Sequence, residues 1–227
     1  MRKFIISIDA GTTSNRSILF DLKGTPVFSS QKEFTQYFPK SGWVEHDPDE
    51  IWRTTVKTLK DVIQKSKKLR GKILSIGITN QRETTVLWDK RTGKPVYNAI
   101  VWQDRRQEEF CAKLRKQNKD TMIFNKTGLL IDSYFSGTKI KWILDNVPKA
   151  KKLMNSNQLL FGTIDSFLIW RFTKGKVHAT DATNASRTMI YNISSNKWDD
   201  AILKLLNIKK HILPKVKDCA DNFGQTH

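Results

Sequence analysis

The order of elements predicted for the first eighty residues restricts the possible folds more than any other feature of the chain. Residues 4–8 form an apolar run typical of a buried strand, and residues 17–21 and 27–35 predict two further strands. Short polar turns separate the three segments. Sequential strands joined by short turns pair in antiparallel fashion, so the chain is predicted to begin with a three-stranded meander.

A helix and a fourth strand are predicted to follow this meander. Asp47 can cap the helix, Pro48 suits its first turn, and Glu50 would complete a capping box. Apolar residues then recur at helical spacing: Ile51, Trp52, Val56, Leu59, Val62 and Ile63. Gly71 is a plausible helix stop, and residues 72–79 predict a strand that pairs in parallel after the helical crossover.

The rest of the chain alternates between strand and helix patterns. Strands are predicted at 84–88 and 97–102, and helices at 104–117, 139–144, 165–172 and 199–206. The whole pattern indicates an α/β fold with a mixed β-sheet and flanking helices.

Composition narrows the class of protein. Of the 227 residues, 38% are hydrophobic, which is enough for the core of one large domain or two small ones. No apolar run reaches the length of about 18 residues expected of a membrane span, and Asp9 interrupts the first apolar run too early for a signal peptide. With only two cysteines, a disulfide scaffold or structural zinc site is disfavoured, and a cytoplasmic location is expected.

The strongly basic charge first suggests a nucleic-acid partner. The 40 basic and 22 acidic residues give a net charge of +18. However, 29 of the basic residues are lysines and only 11 are arginines, and the lysines are scattered beside apolar helical patterns. Arginine is favoured where a protein binds phosphates or bases through a pair of hydrogen bonds. The excess of scattered lysines therefore favours a solvated surface over nucleic-acid binding.

A candidate phosphate loop lies between the first two strands. Asp9 ends a buried strand, where a carboxylate can hold a divalent ion through water. Gly11 lets the backbone approach a phosphate, and Arg16 adds positive charge. Hydroxyl and N–H donors come from Thr12, Thr13 and Ser14. The alternative is a plain polar β-turn. No Gly-Lys-Ser/Thr follows, so this is not a Walker loop.

Several segments carry a resemblance to a known family. Residues 9–14 (Asp-Ala-Gly-Thr-Thr-Ser) resemble the phosphate loop of actin-like ATPases and sugar kinases. Residues 42–48 (Gly-Trp-Val-Glu-His-Asp-Pro) are similar to the segment before the first helix of the FGGY carbohydrate kinases. Residues 79–85 (Thr-Asn-Gln-Arg-Glu-Thr-Thr) look specifically like the glycerol kinases of that group, and residues 99–106 and 162–189 agree.

This resemblance implies a fold, an activity and a set of ligands. Residues 1–227 would form an FGGY-type N-terminal domain with the actin-like ATPase (ribonuclease H-like) fold. Family members transfer the γ-phosphate of ATP to glycerol, with magnesium, giving sn-glycerol 3-phosphate and ADP. By resemblance, glycerol would be contacted by Arg82, Glu83, Trp102 and Tyr134, and the phosphates by Thr12, Thr13, Ser14 and Arg16. Asp9 would lie beside magnesium, through water.

The chemistry of the four glycerol residues is consistent with this reading. Glu83 can accept hydrogen bonds from hydroxyl groups, and Arg82 can donate hydrogen bonds to hydroxyl oxygens. Trp102 can cover the C–H face of glycerol. Neighbours on a strand point to opposite faces, so Arg82 and Glu83 converge only if Asn80 and Gln81 break the strand. Without the resemblance, the alternatives are a surface ion pair for Arg82–Glu83, core packing for Trp102, and a loop aromatic for Tyr134.

The resemblance also implies parts that this sequence does not supply. In the family, a second domain provides the adenosine pocket, and the catalytic base is an Asp in a Gly-rich segment just after the first domain. Asp218 and Asp221 lack the flanking glycines, so no catalytic base is assigned. We therefore expect the C-terminal kinase domain to be absent and the chain to be inactive alone, unless a separately encoded half completes it. A non-catalytic glycerol- or partner-binding module is the alternative.

A further expectation concerns the side of the domain that would meet the second one. The face carrying Arg16, Arg82 and Glu83 is predicted to be open to water or covered by another copy of the chain. Self-association or limited solubility is therefore expected, because large exposed patches are unusual for soluble monomers.

Overall fold

The computed structural model describes residues 1–226 as two compact units. The first unit comprises Met1–Gln36 and His46–Gln81, and the second comprises Tyr37–Glu45 and the chain from Arg82 onward. None of the helices in the described part of the chain has the length and apolarity needed to span a bilayer.

The first unit is built on a four-stranded mixed sheet. Its elements are β1 (Arg2–Ala10), β2 (Ser14–Asp21), β3 (Pro26–Glu33), α1 (Pro48–Lys68) and β5 (Gly71–Asn80). The short strand β4 (Glu45–His46) has its first residue in the second unit and its second residue in the first. The strand order is β3-β2-β1-β5, antiparallel between β3, β2 and β1 and parallel between β1 and β5. The predicted meander and the parallel strand after the helix are therefore both confirmed.

Local interactions explain where α1 begins and ends. Asp47 caps the helix by accepting a hydrogen bond from the Asp49 N–H at 2.8 Å. The Glu50 carboxylate accepts from the Thr35 hydroxyl at 3.2 Å. The prediction that Gly71 stops the helix is wrong: the left-handed residue after α1 is Arg70, with φ of 51°, and Gly71 already begins β5.

Gly71 is instead required by a close approach between two strands. A Cβ atom at this position would lie 2.2 Å from the Phe4 ring and 3.0 Å from the Ser66 hydroxyl. Phe4 is buried, so its ring cannot move into open space. Gly77, on the same strand, has no atom within 4 Å of its added Cβ.

These two glycines make a matched pair for mutation. We expect Gly71→Ala to lower the free energy of unfolding by about 1–3 kcal/mol, because the added methyl overpacks a buried ring. Gly77→Ala should be neutral or stabilising by up to about 1 kcal/mol, because it removes backbone freedom without a clash. Urea titration of both variants checks this, and equal losses at the two positions would contradict it.

The second unit contains the remaining elements. Its strands are β6 (Val86–Asp89), β7 (Ala99–Ile100), β8 (Leu159–Gly162), β9 (Ala179–Asp181), β10 (Tyr191–Asn192), β11 (Lys197–Trp198) and β12 (Lys215–Lys217). Its helices are α2 (Glu108–Lys116), α3 (Asp120–Thr127), α4 (Ser136–Asn146), α5 (Pro148–Asn155), α6 (Ile164–Phe172), α7 (Ala182–Ser186) and α8 (Asp200–Leu206). β6 pairs with β8 in antiparallel fashion, and β12 with β9 in parallel.

One apolar core holds the second unit together. It gathers side chains from β6, β7, β8 and the helices, with Leu87, Ile140 and Phe161 among its buried members. The four helices predicted from residue 104 onward are confirmed, with shifted ends. The strand predicted at 97–102 contracts to Ala99–Ile100, because the chain turns immediately after Val101, where the Asp104 N–H donates to the Val101 carbonyl.

Candidate functional site

The phosphate-loop candidate is the three-residue connection between β1 and β2. The Gly11 N–H donates to the Ser14 carbonyl at 3.0 Å and closes the turn. The three loop carbonyls each accept a hydrogen bond: Gly11 from Gln81 Nε2 at 3.0 Å, Thr12 from Gln36 Nε2 at 3.1 Å, and Thr13 from the Phe34 N–H at 3.3 Å. With its carbonyls tied to the protein and the Thr13 side chain exposed, the loop has a fixed shape at the surface.

The charged residues on either side of this loop form a pair. Arg16 Nη2 lies 3.0 Å from Asp9 Oδ2, and both side chains are more than a third exposed. Within residues 1–226, no group of three or more His, Cys, Asp or Glu side chains is arranged to hold a metal. Magnesium typically keeps several waters and uses one or two carboxylates together with substrate phosphates. A single exposed carboxylate such as Asp9 therefore fits a water-mediated magnesium site.

Arg82 and Glu83 lie in a tight turn after β5. The strand ends at Asn80, so Arg82 and Glu83 lie outside it, as the sequence predicts. The Thr84 N–H donates to the Arg82 carbonyl at 2.7 Å, and Glu83 at the centre of this turn has φ of 64°. A positive φ at a non-glycine residue is strained and is concentrated at functional sites. The turn sends the two side chains apart: Arg82 is exposed, whereas Glu83 is only 3% exposed.

The burial of Glu83 contradicts the expectation that it faces water. Its Oε1 atom accepts a hydrogen bond from Arg187 Nε at 2.6 Å. Burial on its own would lower the pKa of Arg187, but the hydrogen bond and charge of Glu83 outweigh it and hold that pKa above its ordinary value. Glu83 is thus a fixed acceptor with a cationic partner already in place.

Aromatic rings extend this site beyond the ion pair. The Arg187 guanidinium carbon lies 5.6 Å from the centre of the Tyr134 ring and 5.0 Å from that of Phe135. The Tyr134 and Trp102 rings are 5.4 Å apart. Arg187, which the sequence reasoning did not assign, therefore contacts both Glu83 and Tyr134, and Trp102 packs against Tyr134.

A buried lysine holds the loop that carries Tyr134. Lys139 Nζ donates to the carbonyls of Ser133 and Tyr134 at 2.5 Å each, and its side chain is fully buried. Burial lowers the pKa of this lysine to about 7, opposed by the negative charges of Asp104 and Glu83. Lys139 therefore fixes the loop backbone and leaves the Tyr134 ring beside Trp102.

This arrangement combines polar and apolar groups in the way that a small polyol requires. Glu83 supplies acceptors, the exposed side chain of the preceding residue Arg82 supplies donors, and the two aromatic rings offer faces for C–H groups. A fixed carboxylate next to aromatic surface can orient a ligand that has several hydroxyls and a short carbon backbone.

A comparison of the sequence with family profiles decides the family. Residues 4–227 match the N-terminal domain of the FGGY family of carbohydrate kinases. The chain belongs to this family. Its fold is accordingly the actin-like ATPase fold of the FGGY kinases, as the sequence predicts.

Curated relatives of this FGGY chain are glycerol kinases. It is 57% identical to glycerol kinase from Petrotoga mobilis over 226 residues and 58% identical to that from Malacoplasma penetrans over 223 residues. Among solved structures, glycerol kinase from Plasmodium falciparum with ADP is 38% identical and superimposes with a TM-score of 0.95. These matches cover 98–100% of this chain but only 44–45% of the relatives. The chain thus corresponds to the N-terminal part of these kinases.

Proposed function

We propose that this chain is the N-terminal part of an ATP-dependent glycerol kinase, which converts ATP and glycerol to ADP and sn-glycerol 3-phosphate. Residues 1–227 act as its FGGY-type N-terminal actin-like domain. The observation that carries the proposal is the buried carboxylate of Glu83, held by Arg187 in a strained turn beside Tyr134 and Trp102. The identity of 55–58% to glycerol kinases supports the choice of glycerol among polyols.

Glycerol is proposed to be bound by Arg82, Glu83, Trp102 and Tyr134. Glu83 accepts hydrogen bonds from two hydroxyls, and its fixed position orients the triol because the Arg187 pair prevents it from turning away. Arg82 donates to a hydroxyl oxygen from the exposed side of the turn. Trp102 and Tyr134 cover the carbon backbone.

ATP phosphates are proposed to be bound by the loop between β1 and β2. The donors are those of Thr12, Thr13, Ser14 and Arg16, and Arg16 supplies the positive charge that a departing phosphate requires. Asp9 would hold magnesium through water, and the ion, when bound, neutralises phosphate charge. No residue of this chain is assigned as the base that takes the proton from the attacking hydroxyl.

The 227-residue polypeptide alone is proposed to bind glycerol weakly and to lack turnover. Phosphoryl transfer depends on positioning and on excluding water, and the matched region is only 45% of a whole relative. A triol of about six heavy atoms at about 0.5 kcal/mol per atom gains about 3 kcal/mol, a dissociation constant of several millimolar or weaker.

Two measurements on the polypeptide test this proposal. A glycerol titration should shift the indole N–H signal of Trp102 at millimolar concentration, while that of Trp198, whose indole donates to the Pro214 carbonyl at 2.9 Å, should stay unchanged. A coupled ADP-release assay should show no glycerol-dependent turnover.

The controls separate glycerol binding from non-specific effects. Glu83→Ala should abolish the Trp102 shift, and 1-propanol, which lacks two of the hydroxyls, should not reproduce it. A Trp102 signal unmoved by molar glycerol would contradict the assignment of the glycerol site. Turnover near 1 s⁻¹, in the ordinary enzyme range, would contradict the claim of inactivity.

A further inference from the structure

A chain of three polar side chains, two of them buried and Gln36 half-buried, lies directly beneath the phosphate loop. Its centre is His46, which is fully buried and packs edge-on against Phe34, with ring centres 5.0 Å apart. On one side Gln81 Nε2 lies 3.3 Å from His46 Nδ1, and on the other His46 Nε2 lies 2.6 Å from Gln36 Oε1. All of these residues belong to the first unit.

Both ends of this chain are anchored in the loop itself. Gln81 Nε2 donates to the Gly11 carbonyl at 3.0 Å, and Gln36 Nε2 donates to the Thr12 carbonyl at 3.1 Å. These hydrogen bonds form a closed ring that runs from the Gly11 carbonyl through Gln81, His46 and Gln36 to the Thr12 carbonyl. The two carbonyls that the ring holds belong to adjacent residues, so it fixes the orientation of the peptide unit between them.

The ring also determines which nitrogen of His46 carries the proton. An amide nitrogen can only donate, so Gln81 requires a bare Nδ1, and the proton must reside on Nε2, where it is donated to Gln36 Oε1. Burial lowers the pKa of His46 to about 4, so the neutral ring that this pattern requires is present at neutral pH. Each donor in the ring therefore has its acceptor.

We propose that His46 is a positioning residue that sets the conformation of the phosphate loop through Gln36 and Gln81, and thereby its affinity for nucleotide phosphates. This inference rests on the proposed function of the loop. Tying the carbonyls of Gly11 and Thr12 to the ring turns them away from a phosphate that they would repel. The loop is then held in one shape before the ligand arrives, which avoids an ordering cost on binding.

The first test needs no ligand and uses the 227-residue chain. Amide hydrogen exchange at Gly11 and Phe34, whose N–H groups donate to the carbonyls of Ser14 and Thr13, should accelerate about tenfold or more in His46→Phe, which keeps the shape of the aromatic side chain and removes both hydrogen bonds of His46. The amide of Ile6, buried in β1, reports global opening and should change much less. His46→Gln, which can still accept and donate, should recover part of the protection.

Gln36 provides a second variant that tests the ring from its other side. Gln36→Met keeps the length of the side chain but removes the donor to the Thr12 carbonyl, and should accelerate exchange at the Gly11 amide in the same way. The matched control is Gln64→Met: this glutamine is exposed on α1 and lies outside the ring, so its replacement should leave exchange at the Gly11 amide unchanged.

Two further measurements determine the tautomer of His46 and the affinity of the chain for magnesium-ADP. Long-range ¹H–¹⁵N correlation at neutral pH should show His46 with its proton on Nε2. Titration with magnesium-ADP should give about tenfold weaker binding in His46→Phe and Gln36→Met than in the unmodified chain, and unchanged binding in Gln64→Met.

Each outcome bears on the inference. The opposite tautomer, unchanged exchange at Gly11 in both ring variants, or equal acceleration at Ile6 would overturn it. If the unmodified chain does not respond to magnesium-ADP, the proposed phosphate contacts fail. The exchange and tautomer results still decide whether His46 positions the loop.

Discussion

Replacing Arg106 with alanine is expected to lower the free energy of unfolding by about 3–5 kcal/mol, which is a large part of the stability of an ordinary domain. The Arg106 side chain is only 1% exposed. Its Nη2 atom lies 2.7 Å from Glu45 Oε1 and 2.8 Å from Asp104 Oδ2, and both carboxylates are as deeply buried. Removal of the arginine leaves two negative charges in the interior without a cation.

Aromatic packing adds to this expected loss. The Arg106 guanidinium lies 3.7 Å from the centre of the Trp43 ring and 4.6 Å from that of Trp142, so its faces are covered as well as its edges. The same carboxylates hold other groups: Glu45 accepts from the Tyr97 hydroxyl, and Asp104 accepts from the Val44 N–H. The loss should therefore exceed that of a single ion pair.

Arg105 provides the matched control. Its side chain is 57% exposed and pairs with Asp132 at 3.1 Å, so Arg105→Ala should cost no more than about 1 kcal/mol. The triple variant Glu45→Gln, Asp104→Asn, Arg106→Met should recover most of the stability lost in Arg106→Ala, because no charge stays buried without a partner. Urea titrations followed by tryptophan fluorescence measure all three, and similar losses for the two single arginine variants would refute the argument.

The sequence predicts the first unit well because its signals are local. The apolar run in β1, the short turns on either side of β2 and the Asp47 cap each act within a few residues. Gly71 was misread as a helix stop because the real constraint is the Phe4 ring, 67 positions earlier in the chain. A glycine that makes room for a distant side chain has the same sequence signature as one that ends a helix.

The candidate site was predictable only in part for the same reason. The break after β5 that frees Arg82 and Glu83 follows from the polar residues there. The partner of Glu83, however, is Arg187, 104 positions later. Nothing local distinguishes this arginine from a surface residue, so the burial of Glu83 could not be anticipated. The ring through His46 likewise joins residues from four separate segments.

Arg187→Met is expected to destabilise the protein more than Glu83→Gln, although the two residues form one pair. The Glu83 side chain is 3% exposed, whereas that of Arg187 is 32% exposed. Losing the arginine leaves a buried carboxylate alone, at a cost of about 3 kcal/mol. Losing the carboxylate leaves a cation that water can reach and that an amide oxygen can still bind, at a cost of about 1 kcal/mol.

The pH dependence of the stability losses provides a second, independent test of this prediction. A buried carboxyl without a cation is better tolerated when it is protonated, so the loss in Arg187→Met should shrink as the pH falls from neutral towards about 5. The loss in Glu83→Gln, which has no carboxyl at this position, should stay nearly constant over that range. The double variant should be more stable than the sum of the single losses implies, because its interior carries neither charge. Urea titrations at both pH values measure these differences. A loss in Arg187→Met that grows as the pH falls, or equal losses for the two single variants, would show that the buried Glu83 side chain does not depend on Arg187 as its partner.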